Sequence, residues 1–118
     1  MIVSFTGTRQ GMSTAQKRQL QYVLYGLRTV TQFHHGAAEG ADREAAAFAA
    51  TALKVVAHPA GDDPLARNRE LVNICDVLIA APRTDEEELR SGTWATIRYA
   101  RAVGKPIIML SRGKEQLT

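Results

Sequence analysis

The segment Arg90-Ser91-Gly92-Thr93-Trp94, read on to Pro106, carries the clearest chemistry in this chain. It opens on a small-residue turn, continues with helical spacing, stops at Gly104 and enters the apolar run Pro106-Ile107-Ile108-Met109-Leu110. Small side chains let a phosphate reach the first N–H groups of a helix, whose partial positive charge favours an anion. Ser91, Gly92 and Thr93 are therefore expected on the phosphate side of a ligand. The turn Gly7-Thr8-Arg9-Gln10-Gly11 offers similar chemistry. Its glycines permit tight or left-handed backbone, the Thr8 hydroxyl and the amides suit an oxyanion, and Arg9 supplies a guanidinium that can clamp phosphate bidentately.

Two further segments extend this set. In Gly36-Ala37-Ala38-Glu39-Gly40-Ala41-Asp42, small residues allow close backbone approach to a ligand. Asp42 either accepts from a ribose hydroxyl or simply favours the N-terminus of the helix that starts near Ala41. Arg67-Asn68 places a guanidinium beside an amide, which suits a phosphate or a base edge. The neighbouring Arg69 and Glu70 read as a solvated face. Asp85 and the run Glu86-Glu87-Glu88 read as a solvated, mobile loop overhanging the site.

Other chemistries find little footing. Neither Gly-x-Gly-x-x-Gly nor a phosphate-loop Gly-Lys-Thr occurs. His34, His35 and His58 have no helical spacing to one another and no identifiable carboxylate partner, so no metal site is expected and no cofactor is assigned. Cys75 is the single cysteine, which excludes an internal disulfide and a cysteine-based metal site. It lies among apolar residues and reads as buried packing. No catalytic residue is assigned.

The elements that must position these loops follow from hydrophobic spacing. Residues 2–6 read as a strand. Ser13 with Gln16 forms a capping box, and Leu20, Val23, Leu24 and Leu27 then recur at helical spacing to about Thr29. Residues 30–35 read as a second strand, and 41–53 as an alanine-rich helix with Ala45, Phe48, Ala49 and Ala52 on one face. A third strand, 54–58, ends at Pro59, and a short helix spans 65–75. The almost wholly apolar run 76–81 suits a strand covered on both faces and ends at Pro82. A helix over 93–103 and a strand over 106–110 complete the series. Phe5, Phe33, Phe48 and Tyr22 read as core aromatics, and Trp94 as packed on the sheet or on an adjoining subunit.

Strands alternating with helices predict an α/β fold: one Rossmann-like three-layer domain, a five-stranded parallel sheet with helices on both faces. It occupies residues 1–111, with 112–118 as a loose polar tail. In such sheets ligands bind at the carboxyl ends of the strands, and the candidate loops all follow strands.

Bulk properties agree with a globular domain. The 118 residues are 45% hydrophobic and 23% charged, enough for one core without staples. No apolar run approaches the ~18 residues of a membrane span, and the N-terminus reads as a strand rather than a signal peptide, so no membrane partner and a cytoplasmic setting are expected. The net charge of +3 suits small anionic ligands at least as well as nucleic acid.

Taken together, Gly7-Thr8-Arg9, Gly36 to Asp42, His58-Pro59-Ala60, Arg67-Asn68-Arg69-Glu70, Asp76 to Ala80 and Gly92-Thr93 resemble the SLOG superfamily over nearly the whole chain. These are compact Rossmann-like domains that bind nucleotides or nucleotide-derived ligands. The second loop and the Arg-Asn pair look like the small stand-alone bacterial and phage members. Related phosphoribohydrolases carry Pro-Gly-Gly-x-Gly-Thr-x-x-Glu, the glutamate acting at the ribosyl bond. Nucleoside deoxyribosyltransferases likewise place a glutamate after Gly-Thr. Aligned on Gly92-Thr93, the double glycine is Leu89-Arg90 here and the glutamate is Thr96, whose hydroxyl cannot support an oxocarbenium-like centre as a carboxylate would. The DNA-processing protein that loads recombinase onto single strands also contains this domain type, in a longer chain.

The resemblance thus implies a binder of a nucleotide-derived anion that performs no chemistry on it. The Gly7–Arg9 turn and Ser91–Thr93 would hold phosphate, Arg9 and Arg67 would neutralise it, and Gly36–Asp42 would line the ribose side. It also implies a homo-oligomer. Two alternatives stand beside it: an enzyme cleaving an N-glycosidic bond in a nucleotide, with Glu39, Asp42 or one of Glu86–Glu88 as substitute carboxylate, and a single-strand nucleic-acid-binding accessory protein.

Overall fold

A computed structural model of the chain describes residues 1–113. Five strands and four helices alternate in it: β1 (Ile2–Gly7), α1 (Thr14–Gly26), β2 (Gln32–His35), α2 (Ala41–Ala49), β3 (Lys54–Ala57), α3 (Pro64–Ile74), β4 (Val77–Ala81), α4 (Gly92–Ala102) and β5 (Ile107–Met109). The strands form one parallel sheet in the order β3-β2-β1-β4-β5. Its helices cover both faces, so the expected α/β, Rossmann-like three-layer architecture is the observed one.

One face carries α1 and α2 over a core of Val3, Phe5, Phe33, Val77 and Ile79, with Leu20 and the small faces of Ala41, Ala45 and Ala49 packed against them. The other carries α3 and α4, where Val72, Cys75, Leu78 and Ala100 form one cluster and Ala80, Trp94 and Ile97 another. Trp94 therefore packs on the sheet within its own chain. Buried β4 shows no polar side chain, as its uninterrupted apolar sequence requires.

The element ends differ from expectation by a few residues, and the causes are local. Helix α1 starts on the predicted capping box, with Gln16 N–H on Ser13 Oγ at 3.1 Å and Ser13 N–H on Gln16 Oε1 at 3.1 Å. It stops at Gly26 rather than near Thr29, because glycine is a poor helix former. Helix α2 ends at Ala49 rather than at Leu53. Asp63 caps α3 one residue earlier than expected, with Pro64 in the first turn.

Two expectations fail outright. Tyr22 is 83% exposed, because α1 buries positions 16 and 20 and packs 23, 24 and 27, leaving position 22 on the opposite side. The polar tail does not begin at residue 112. Arg112 is buried, and its Nη1 donates to Gly11 O at 2.9 Å and to Gln16 Oε1 at 3.3 Å. Gln16 in turn donates to the carbonyls of Pro82 and Leu110, tying the start of α1 to the ends of β4 and β5. The rest of that tail, 114–118, lies outside the described residues.

Candidate functional site

The winding direction reverses between β1 and β4. From β1 the chain passes through α1 to β2 on one side, whereas α3 returns it to β4 on the other. Connections leaving the two strands in opposite directions open a crevice at their carboxyl ends, where Gly7 and Ala81 are paired. The crevice has a volume of about 700 Å³.

Its floor is the β1–α1 turn. Thr8 N–H donates to Ala81 O at 3.0 Å, while Thr8 O accepts from Gly11 N–H and Ala41 N–H. Gly7 is dictated by packing: a Cβ there would lie 2.5 Å from the Cβ of Ala41. Gly40 has φ +76°, and a Cβ there would lie 2.2 Å from Arg9 O, so the first two loops meet backbone to backbone. Gly40 consequently sits behind the crevice rather than in its lining. Arg9 stands exposed at the rim, without an acidic partner among the described residues.

The second loop is held by its own side chains. Asp42 is only 4% exposed, and its Oδ2 accepts from Gly36 N–H at 3.1 Å and Ala38 N–H at 3.3 Å. Its Oδ1 is buried without a hydrogen-bond partner. Burial pushes the carboxyl up to about 6, against the opposing pull of those N–H groups and of Arg67. Ala37 has φ +57°, a left-handed conformation unusual for a residue with a side chain, and its N–H donates to His35 Nδ1 at 3.0 Å. Gly36 and Ala38 line the crevice, whereas Ala37 faces an adjoining hollow of about 350 Å³ with Pro59 and Ala60.

Arg67 and Asn68 both reach the crevice, but Arg67 serves first as a strut. Its Nη1 donates to Gly36 O and, at 3.1 Å, to His58 O, and its Nε donates to Asn68 Oδ1 at 2.7 Å. A Cβ on Gly36 would lie 2.5 Å from this guanidinium, so a larger residue there would displace the strut.

The far wall is the start of α4. Ser91 Oγ caps Trp94 N–H at 3.2 Å, and the N–H groups of Gly92 and Thr93, first in the helix, have no intrahelical acceptor by position. A Cβ on Gly92 would meet nothing within 4 Å. The fold itself therefore does not require glycine there. Thr96 is buried, and its hydroxyl donates back to Gly92 O at 2.9 Å.

Sequence reasoning missed part of this wall. Arg83, Leu89 and Arg90 line the crevice, beside Glu88 of the loop expected to overhang it. The acidic run is not free: Glu88 is ion-paired with Arg83, which holds its carboxyl below the ordinary range, and Glu87 pairs with Arg98 at 2.9 Å. Arg83 follows the strand-ending Pro82, so the rule that ligand groups follow strand ends pointed to it. Arg90 is exposed and, like Arg9, has no acidic partner among the described residues.

Two of the three histidines are brought together although their spacing gave no sign of it. His34 Nδ1 lies 2.7 Å from His58 Nε2, and His58 Nδ1 lies 3.4 Å from Glu70 Oε1. Comparisons with known protein families, curated proteins and solved structures return no match to this chain. Among the described residues, no helix is long and apolar enough to cross a membrane.

Proposed function

We propose that the crevice binds a nucleotide or nucleotide-derived anion and leaves it chemically intact. One observation carries this reading: Arg9 and Arg90, both without an acidic partner among the described residues, stand on a crevice that also exposes the N–H end of α4. Cations facing a helix N-terminus across a crevice attract an anion from two directions. The volume, about 700 Å³, accommodates a group of nucleotide size. Likeness of the loops to SLOG domains supports the same ligand class and an oligomeric assembly, the latter tested by light scattering. Arg67 shapes the wall in this reading rather than acting as the first phosphate clamp, since Nη1 and Nε are already engaged.

The hydroxyl of Thr96, spent on its own helix, supports binding without turnover. A hydrolytic reading draws on one feature, the carboxyl of Asp42 raised to about 6 in the crevice. Against it, Oδ2 is occupied by two N–H groups and Oδ1 is covered. For nucleic acid, the most exposed aromatics, Tyr22 and Tyr25, stand on α1 rather than on the crevice that a stacked base would enter.

Thermal unfolding with a panel of mono-, di- and cyclic nucleotides, followed by mass spectrometry of the same samples, tests the proposal. A bound nucleotide at ~100 times its Kd adds about 2.7 kcal/mol of stability. The expected result is stabilisation by an anionic nucleotide recovered unchanged, and lost in Arg9→Ala. Recovery of free base would replace the proposal with hydrolysis, and no stabilisation across the panel would remove it.

A further inference from the structure

The crevice loop is fastened at a left-handed residue by a titratable acceptor. Ala37 adopts φ +57°, and its N–H is held by Nδ1 of His35 at 3.0 Å. That bond requires Nδ1 to carry a lone pair and therefore requires a neutral ring. A proton on Nδ1 turns the acceptor into a second donor facing the Ala37 N–H, so the same contact becomes repulsive. His35 itself is 6% exposed, so water cannot readily take over the lost bond.

The surroundings keep the ring neutral. On its own strand stands His34, whose Nε2 is 2.8 Å from Gln32 Oε1 and whose Nδ1 faces His58 Nε2 at 2.7 Å. With His34 donating from Nε2 to Gln32, its Nδ1 accepts from His58. His58 then holds its proton on Nε2, and its Nδ1 faces Glu70 Oε1 at 3.4 Å. Lys54 of β3 and Arg67 of α3 add positive charge at this corner, while Asp42 of α2 is committed to the neighbouring Gly36 and Ala38 N–H groups. Burial first, then the neighbouring basic groups His58, His34 and Arg67, hold His35 below its ordinary value.

We propose that His35 is a proton-operated latch on the Gly36–Ala38 loop: neutral, it holds Ala37 in the left-handed turn that shapes this side of the crevice, and protonated, it lets the turn go. The latch follows from the loop geometry and holds whatever the crevice binds. Relaxation of Ala37 shifts the flanking Gly36 carbonyl, which is the acceptor for the Arg67 strut, so one proton reaches two walls.

The test is a pH titration of the full chain by NMR, following the His35 ring together with the backbone ¹⁵N of Ala37 and the Nε–H of Arg67. The expected result is that Ala37 and Arg67 move with the midpoint of the His35 ring, below 6.5, while the amides of Phe5 and Ile79 stay in place. In His35→Asn, whose Oδ1 replaces Nδ1 as acceptor without titrating, the loop transition disappears. Should that variant not fold, His58→Gln removes a neighbouring basic group that lowers His35 and must raise the His35 midpoint, with the loop following it. The proposal is overturned if Ala37 stays still while the ring titrates. It is equally overturned if the loop transition survives in His35→Asn, or if Asp42→Asn abolishes it.

Discussion

Replacing Asp42 with asparagine removes a carboxylate from a position only 4% exposed. Burial lifts that carboxyl from 3.8 to about 6 in the folded protein, so the folded state binds its proton before the unfolded chain does. Stability from this group is therefore greatest at low pH and is lost as pH rises from the unfolded value through the folded one. At about 1.36 kcal/mol per pH unit, the ionised carboxylate opposes folding by roughly 3 kcal/mol at pH 7.5 and by well under 1 kcal/mol near pH 4. Asparagine does not titrate. The stability of Asp42→Asn minus that of the wild type should then move in the variant's favour by roughly 2–3 kcal/mol between pH 4 and pH 7.5. Taking the difference cancels groups common to both proteins, including His34 and His35. Their lowered values work in the opposite direction, so their stabilisation fades as pH falls below 6.5. Urea unfolding at half-unit pH steps measures the difference. A flat difference, or one that moves against the variant, refutes the assignment of a penalised buried charge at Asp42.

Three further substitutions separate folding from binding. Gly92→Ala should leave the fold intact, since its Cβ enters open space, while urea midpoints stay within about 0.5 kcal/mol and nucleotide stabilisation drops at least tenfold in apparent affinity. Unchanged affinity would move the anion away from α4. Gly7→Ala should cost about 1–3 kcal/mol, because its Cβ meets Ala41 at 2.5 Å; an unchanged midpoint would contradict that packing. Ala37→Gly should raise stability by about 0.5–1 kcal/mol in urea unfolding, the relief of a left-handed alanine less the added freedom of the unfolded chain. A loss would mean that the turn is not strained.

The sheet was readable because three of its five strands end at a sharp signal: Pro59 after β3, Pro82 after β4, Gly7 at the end of β1. The capping box at Ser13 and Gln16 fixed the start of α1 for the same local reason. The crevice was readable because topology alone brings the residues after β1, β2 and β4 to one edge, and small residues there mark close approach. What could not be read depends on pairings across the chain. Arg67 reads as a free cation until Gly36 and His58, 31 and 9 residues away, present their carbonyls to it. Glu88 reads as solvated until Arg83 folds onto it. His34 on β2 and His58 just past the end of β3 meet only through the parallel register of those strands. Tyr22 was misplaced because one apolar ring on a short helix does not define which side faces the core.

The central claim is that an anionic nucleotide binds at the carboxyl edge between β1 and β4. Its most direct test is a ¹H,¹⁵N titration of the protein with the nucleotide that stabilises it best, mapped residue by residue. The account predicts saturable shifts centred on the amides of Thr8, Arg9, Gly92 and Thr93, with the outer face of α1 around Tyr22 and Tyr25 unmoved. Shifts centred on that face of α1, or none at concentrations that stabilise the fold, would contradict it.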